Sequence, residues 1–403
     1  MFLEILIATF LGCLMGIFTG LTPGIHINLV SVILLGISSL LLQFVSPITL
    51  AAFIVAMAIT HTFLDFVPSV FLGAPESETV LAVLPGHKML LQGRGYEAVK
   101  LSTIGCLLGL LLTIFLTPLL VKITPLVYIN LQRWIGWILI VVVLFMVLRE
   151  KETKKKLQSF FVFLISGVLG LVVFNISTLK DPLLPMLSGL FGTSMLLMSL
   201  NEKVKIPKQK ITEDIKIEGK TVAKSVGAGT FSGSILSIFP GMGPAQAAIL
   251  GSQLTGNIGN YGFIILVGAI GTVSMLMSLI TLVSIEKARN GAIVVLQQIL
   301  GGFGVKELTA MIAVALIAAA IATFISLKIA KVFSKLITKV NYNLLCISII
   351  TFVSLLVLYF TGLIGILILS TATAIGLIPG IWNVGRNHAM GCLLLPVILY
   401  FIL

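Results

Sequence analysis

The sequence predicts an all-α integral membrane protein with many spans, and composition, hydropathy and the positions of the charges support this prediction. The chain has 403 residues, of which 58% are hydrophobic and 10% are charged, whereas soluble domains carry about 25% charged residues. Its mean hydropathy is +1.17. Too few polar side chains remain to cover a soluble globule of this size, which excludes a cytosolic enzyme, a secreted domain and a disordered chain.

Fourteen apolar runs are candidate spans, because about 20 helical residues cross a hydrocarbon core of roughly 30 Å. The run 243–256 is too short to cross alone and indicates a half-helix or one arm of a re-entrant hairpin. The chain is predicted to contain a first transmembrane repeat at 1–200, a cytoplasmic polar linker at 201–222 and a second transmembrane repeat at 223–403. The runs lie at about 3–21, 26–45, 47–65, 99–121, 134–149, 158–176, 183–200, 223–239, 243–256, 262–285, 308–330, 342–361, 363–379 and 388–403.

Three short segments, 149–156, 203–224 and 328–339, hold 16 of the 26 Lys and Arg residues. Basic segments beside apolar spans are typical of cytoplasmic loops. The segments lack interleaved aromatic residues, which disfavours a nucleic-acid partner. Five apolar runs precede the first segment, so the N-terminus is predicted to lie outside. All three segments then fit one topology for a multi-pass protein of the cell membrane.

An odd number of spans in each half inverts the second half relative to the first, an arrangement common in secondary transporters. Each half contains a Pro-Gly pair after a glycine-rich helix, at Pro23-Gly24 and at Pro240-Gly241. A polar stretch follows in both halves, at 73–97 and at 286–307. The sequence therefore predicts a helical bundle of two inverted-topology repeats with re-entrant or broken helices.

The Pro-Gly pairs are candidate binding sites, because proline removes a backbone donor and glycine permits left-handed dihedrals. Backbone groups freed at membrane depth can bind ions, and helix N-termini favour anions. The alternative is an ordinary turn between two spans at the membrane surface. Nearby polar side chains favour binding. The predicted substrate- and ion-binding residues are Thr22, Pro23, Gly24, His26, Asn28, Pro240, Gly241, Gly243 and Gln246.

The segment 60–97 holds four of the 14 acidic residues, beside apolar stretches. Ionisable groups inside a membrane protein are costly and usually functional, although an extramembrane loop with ordinary charges is the alternative. His61 and Asp65 are four residues apart on one helical face, so they can form a pair or bind a proton or cation. The predicted coupling residues are Asp65, Glu76 and Glu78, and the predicted anion contacts are Lys88, Arg94 and Arg289.

Two stretches of this segment, 71–77 and 86–95, resemble the signature loop of the large membrane subunit of tripartite tricarboxylate transporters. That family carries Leu-Asn-Ile-Pro-Gly-Thr-Pro, followed by Gly-Tyr-Pro-Met-Ala-(Lys/Arg)-Gln-Gly-Arg. Where the family has Pro-Gly-Thr-Pro, this chain has Pro75-Glu76-Ser77-Glu78, and its short length resembles a compact, archaeal-type branch. The matching positions are Leu72, Pro75, Gly86, Met89, Gln92, Gly93 and Arg94.

The resemblance implies a permease, a secondary active transporter that moves a small organic anion such as a carboxylate by symport with Na⁺ or H⁺. The alternative is a translocase of a lipid-linked phosphate such as a polyprenyl phosphate. The expected partners are the lipid bilayer and a small membrane subunit or a binding protein. The sequence predicts no enzyme, cofactor or metal site, because it contains no His-Glu-x-x-His run and no Cys-x-x-Cys pair.

A third Pro-Gly pair, Pro379-Gly380, precedes Arg386 and His388 near the end of the chain. This pattern favours an interfacial loop with Trp382 as a membrane anchor. The alternative is a substrate contact or a gate.

Cysteine labelling tests the predicted topology. Single cysteines introduced into 149–156, 201–222 and 328–339 should react with a membrane-impermeant maleimide only from the cytoplasmic side, and cysteines at both termini only from outside. Reaction of any of the three loops from outside would contradict the inverted topology.

Overall fold

A computed structural model describes residues 2–22, 27–73, 83–179, 182–201, 207–238, 244–337 and 342–403, and within these ranges the chain forms 18 α-helices and no strand. The all-α prediction is therefore confirmed. The helices are α1 Phe2–Leu21, α2 Ile27–Gly36, α3 Ser38–Leu41, α4 Pro47–Leu64, α5 Phe66–Phe71, α6 Val83–Leu91, α7 Gly95–Leu131, α8 Ile135–Leu148, α9 Thr153–Phe174, α10 Leu183–Leu187, α11 Ser194–Asn201, α12 Gly219–Ser237, α13 Pro244–Thr255, α14 Gly259–Ile285, α15 Gly291–Leu300, α16 Val305–Leu336, α17 Tyr342–Trp382 and α18 Gly391–Ile402.

Seven helical segments in the described ranges are long and apolar enough to cross a bilayer. This finding confirms a multi-pass membrane protein. The segments are Phe2–Leu21, Pro47–Phe71, Gly95–Leu131, Thr153–Phe174, Gly259–Ile285, Val305–Leu336 and Cys346–Trp382.

Two features depart from the predicted runs, whereas one predicted boundary agrees with the structure. The run 26–45 divides into α2 and α3 after Gly36, because glycine is a poor helix former. The polar stretch 286–307 contains a buried helix, α15, which was not predicted from the sequence. The predicted boundary between 342–361 and 363–379 coincides with Gly362, whose φ of 67° and ψ of −160° interrupt α17. Such a positive φ suits glycine because it has no Cβ.

The same order of long and short helices occurs twice along the chain. In the first half it comprises α1, α2, α4 with α5, α6 and α7, and in the second half α12, α13, α14, α15 and α16. Contacts between the halves also match, since α7 packs on α14 as α16 packs on α4, and α12 packs on α7 as α1 packs on α16. Both halves contribute side chains to one hydrophobic core.

Residues 207–218 of the predicted linker contact the first residues of α7 and the last turns of α16. The backbone N–H of Gly95 donates to Gln209 Oε1 at 2.9 Å, and Lys331 Nζ lies 3.4 Å from Glu213 Oε1. The beginning of α7 and the end of α16 are therefore at the same end of the molecule, which we call the linker end. Helices α7 and α16 occupy corresponding places in the two halves. Helix α7 begins at the linker end and α16 ends there, so they run in opposite directions.

Most of the helices outside the repeated order form a second group. They are α8, α9, α10, α11, α17 and α18. Helix α18 packs on α8 and α9, and α17 packs on α10, on α11 and on the π-helical turn Ser188–Thr193 between them. A hydrogen bond of 2.5 Å joins Thr193 Oγ1 and Thr373 Oγ1 across that contact. The hydrophobic core of this group also includes residues of α13 and α14, so the group is packed against the second half.

Helices α7 and α14 cross with almost no side chain between their backbones. A Cβ added at Gly105 would collide with the carbonyl oxygen of Ile265, and one at Gly109 would lie 2.7 Å from the Cα of Ala269. Small residues allow such an approach, which is the usual basis of helix association in membranes. This crossing holds the two halves together.

The close crossing predicts that two matched glycine substitutions differ in their effect on the thermal unfolding temperature. Gly105→Ala should lower the thermal unfolding temperature in detergent, because overpacking costs about 1–3 kcal/mol. Gly227→Ala is also within a helix, but there the added methyl carbon would meet no neighbouring residue within 4 Å. This second substitution should leave the temperature unchanged or raise it. Equal temperatures for the two variants would contradict the close crossing.

Candidate functional site

The most deeply buried span contains two ionisable side chains. In the segment Pro47–Phe71, 94% of the residues in its apolar 18-residue stretch are buried. Within it, His61 at the end of α4 is 0% exposed, and Asp65 at the junction with α5 is 1% exposed. The backbone N–H of Asp65 donates to the His61 carbonyl at 3.0 Å. These groups therefore lie inside protein and away from lipid.

Helix α1 places a hydroxyl against this span. Thr19 Oγ1 is buried and lies 3.1 Å from His61 Nδ1. The contact is close because Gly16 and Gly20 face α4, where a Cβ would lie 2.6 Å from the Thr60 Cβ and 2.8 Å from the Leu64 Cβ respectively. The glycines of α1 thus bring its polar end next to the ionisable residues.

Several predicted site residues lie outside the described residues. They are Pro23, Gly24, His26, Glu76, Glu78, Pro240, Gly241 and Gly243. The residues that flank them are described. Thr22 is half-buried directly after α1, and Gln246 is buried in the first turn of α13.

Asn28 in α2 connects the two halves. Its Oδ1 accepts a hydrogen bond from the backbone N–H of Ala292 at 3.0 Å, and its side chain lies against Gly291. Asn290 Oδ1 accepts from Ile293 N at 2.9 Å. Two asparagines, one from each half, therefore cap the beginning of α15.

Arg94 is part of a polar cluster at the linker end. Its Nε donates to Glu97 Oε2 at 2.6 Å, and its guanidinium carbon lies 4.9 Å from the centre of the Tyr261 ring. The Tyr261 hydroxyl donates to Glu97 Oε1 at 2.7 Å. This cluster joins the first turns of α7 and α14, so Arg94 has a structural contact besides its predicted role.

Arg289 lies at the opposite end of α7 and α14. Its guanidinium carbon is 5.4 Å from the centre of the Tyr128 ring, and Lys287 Nζ donates to the Tyr128 hydroxyl at 2.6 Å. Burial lowers the pKa of the Arg289 guanidinium, and the hydrogen bond to Tyr128 opposes this change. The predicted anion contacts Arg94 and Arg289 are thus not brought together by the fold.

Lys88 is exposed on α6 and lines a cavity of about 490 Å³ between α6, α13 and the start of α14. The cavity also receives Asn260 and Arg386. Asn260 was not among the predicted site residues, and Arg386 was named only in the alternative of a substrate contact or a gate. The Pro379-Gly380 pair before Arg386 was the signal that could have identified this arginine.

A helical bundle with seven segments able to cross a bilayer belongs to the multi-pass membrane proteins. Ionisable residues enclosed in such a bundle, here a histidine and a carboxylate, usually have a function. The chain belongs to the Tripartite tricarboxylate transporter TctA family, which it matches over residues 6–391. This is a family of transporter membrane subunits and not of enzymes. The predicted family is thereby confirmed.

An archaeal relative has a similar length. The chain is 31% identical over 360 residues to an uncharacterized protein of Methanocaldococcus jannaschii, and the match covers 87% of this chain and 88% of that protein. No solved structure matches the chain at a significant level.

The Asn28 contact predicts how α15 responds to substitution. Asn28→Leu should speed amide hydrogen exchange within 291–300 by about fivefold, because losing a helix cap costs about 1 kcal/mol. Asn28→Asp keeps an acceptor oxygen and should preserve most of the protection. Unchanged exchange in Asn28→Leu would show that this hydrogen bond does not hold α15.

Proposed function

We propose that this chain is a secondary active transporter of a small organic anion, driven by a Na⁺ or H⁺ gradient. The burial of Asp65 supports this proposal most directly. A carboxylate enclosed in a membrane protein is expensive unless it is paired, protonated or bound to a cation. A change of occupancy at such a group can be linked to movement of the substrate.

His61, one turn before Asp65, and Thr19 of α1 supply further polar atoms. Imidazole nitrogens and hydroxyl oxygens can bind or relay a proton, and a hydroxyl oxygen can also contribute to a Na⁺ site. The predicted break at Pro23-Gly24 follows Thr22 directly in the sequence. We retain Pro23 and Gly24 as proposed binding residues.

The two halves are proposed to be inverted-topology repeats, with 1–200 and 223–403 on either side of the linker 201–222. The repeated order of helices supports this arrangement. The opposite directions of α7 and α16 relative to the linker end also support it. Inverted repeats provide alternating access, because one pair of corresponding contacts can open while the other closes.

The family name, which refers to tricarboxylates, supports a carboxylate as the substrate. A tripartite system also implies partner subunits. A small membrane subunit or a binding protein that delivers the anion is the partner proposed for this chain.

Replacement of Asp65 tests the coupling. In proteoliposomes, Asp65→Asn should retain counterflow of substrate across the membrane but lose accumulation driven by a Na⁺ or pH gradient, because the amide cannot change its charge. The substrates to compare are citrate, succinate and a polyprenyl phosphate.

Glu213→Gln is the matched control, since Glu213 is an exposed carboxylate whose ion pair with Lys331 contributes little to stability. It should leave both activities unchanged. Normal accumulation by Asp65→Asn would exclude this carboxylate from the coupling mechanism. Movement of polyprenyl phosphate alone would identify the substrate as a lipid phosphate and contradict the proposed organic anion.

A further inference from the structure

Two donor atoms of Arg289 are buried without an acceptor. Its Nε and Nη2 are shielded from solvent and have no hydrogen-bond partner among the residues that the structure describes. A buried donor without an acceptor is costly, and more so when the group is charged. Such a group in a folded protein calls for an explanation, and a bound ion is one of the usual ones.

These two nitrogens form one edge of the guanidinium. The N–H groups of that edge are parallel and match the two oxygens of a carboxylate. Arg94 shows this pairing within the same chain, because its Nε and Nη2 donate to the two carboxylate oxygens of Glu97 at 2.6 and 3.3 Å. Arg289 presents the same edge with no carboxylate of the described residues against it. A carboxylate is therefore the partner that this edge fits.

A second cation lies against the same tyrosine as Arg289. Lys287 Nζ donates to the Tyr128 hydroxyl at 2.6 Å and lies 4.6 Å from the centre of its ring. Within the described part of the chain, neither cation forms an ion pair, and Glu286, which directly precedes Lys287, is exposed and pairs with neither. Like charges repel at short range. Two cations without a counter-charge at one place therefore attract an anion.

The backbone that carries the two cations is anchored at both ends. Glu286 terminates α14 in a left-handed conformation with a φ of 54°, and its N–H donates to the Thr281 carbonyl. Asn290 caps α15 by accepting a hydrogen bond from Ile293 N at 2.9 Å. Residues 287–289 therefore form a short connection between two capped helices, which places both cations beside α7.

We propose that Arg289 and Lys287 form a binding site for a carboxylate of a small organic anion, at the end of the molecule opposite the linker end. The exposed Lys287 attracts the anion, and the Nε and Nη2 of Arg289 bind one carboxylate after neighbouring side chains move aside. Because the linker is predicted to be cytoplasmic, this site would receive the anion from outside. That role in transport rests on the proposed function, whereas the binding of a carboxylate does not.

Protection from alkylation measures binding at this place. Glu286→Cys puts a thiol at an exposed position beside Lys287, while the four native cysteines are buried. The probe is citrate, which carries three carboxylates. In the purified full chain, citrate should slow the reaction of this thiol with a maleimide, whereas sodium chloride at equal ionic strength should not. Inorganic phosphate is compared at the same concentrations.

Variants of the cations test the pairing. Arg289→Gln, added to Glu286→Cys, should raise the citrate concentration for half protection about tenfold, as expected for loss of a charged hydrogen bond. Arg289→Lys keeps the charge but loses the parallel donors, so it should also weaken protection. Lys287→Gln should have a smaller effect, because it removes only attraction. Lys306→Gln is the matched control, since Lys306 is an exposed cation at the beginning of α16, at the same end of the molecule.

A second measurement uses the unaltered chain. Citrate should raise its thermal unfolding temperature, because a ligand that binds the folded state stabilises it. The rise should be smaller in Arg289→Lys and unchanged in Lys306→Gln. This comparison remains decisive if Arg289→Gln does not fold.

Three outcomes would overturn the proposal: no protection by citrate, equal protection in the Arg289 variants and the parent, or protection by phosphate alone. Failure of this site is distinguishable from failure of the transport proposal. Gradient-driven uptake that depends on Asp65, without protection of the introduced thiol, would leave only the transport proposal standing. Protection by citrate without uptake would leave only the binding site.

Discussion

The close crossing of α7 and α14 is the constraint on which the arrangement of the other helices depends. Within a bilayer, burying apolar surface between helices gains little, because lipid tails are as apolar as the side chains. Association instead requires close packing, and Gly105 and Gly109 provide it on α7. Gly268 does so on α14, where a Cβ would collide with the Ser102 carbonyl oxygen. Because α7 belongs to the first half and α14 to the second, this contact fixes how the halves face each other.

That arrangement also explains why polar residues are tolerated in α4. Helices α1, α16, α14 and α7 all contact α4, so its side chains meet protein on every face. His61 and Asp65 would be costly on a lipid-facing helix. In the buried segment Pro47–Phe71, His61 lies beside Thr19 of α1, and Asp65 lies at the junction of α4 and α5. The glycines of α1 are needed for this contact, because they let Thr19 approach His61.

Much of the fold could be predicted from hydropathy, and little of the site could. Long apolar runs indicated the spans, and the break at Gly362 was anticipated from the gap between two runs. Helix α15 was missed because Glu286, Lys287 and Arg289 precede it and gave the stretch 286–307 the pattern of a polar loop. The capping of α15 by Asn28 joins residues 264 positions apart. No local pattern encodes such a pairing. The same is true of Lys88 and Arg386, which line one cavity only because the fold places α6 and the C-terminal segment near each other.

Helix α7 has 37 residues, more than a membrane requires, and its glycine contacts with α14 lie in its first half. Tyr128 is 19 residues beyond Gly109, so the crossing and the tyrosine are about 30 Å apart along the helix. Tyr128 lies against Lys287 and Arg289, which follow α14 in the chain, at 4.6 Å and 5.4 Å from its ring centre. The two helices are therefore also joined far from their glycines. A change in the angle between the halves would have to separate these cations from the tyrosine ring as well as loosen the crossing.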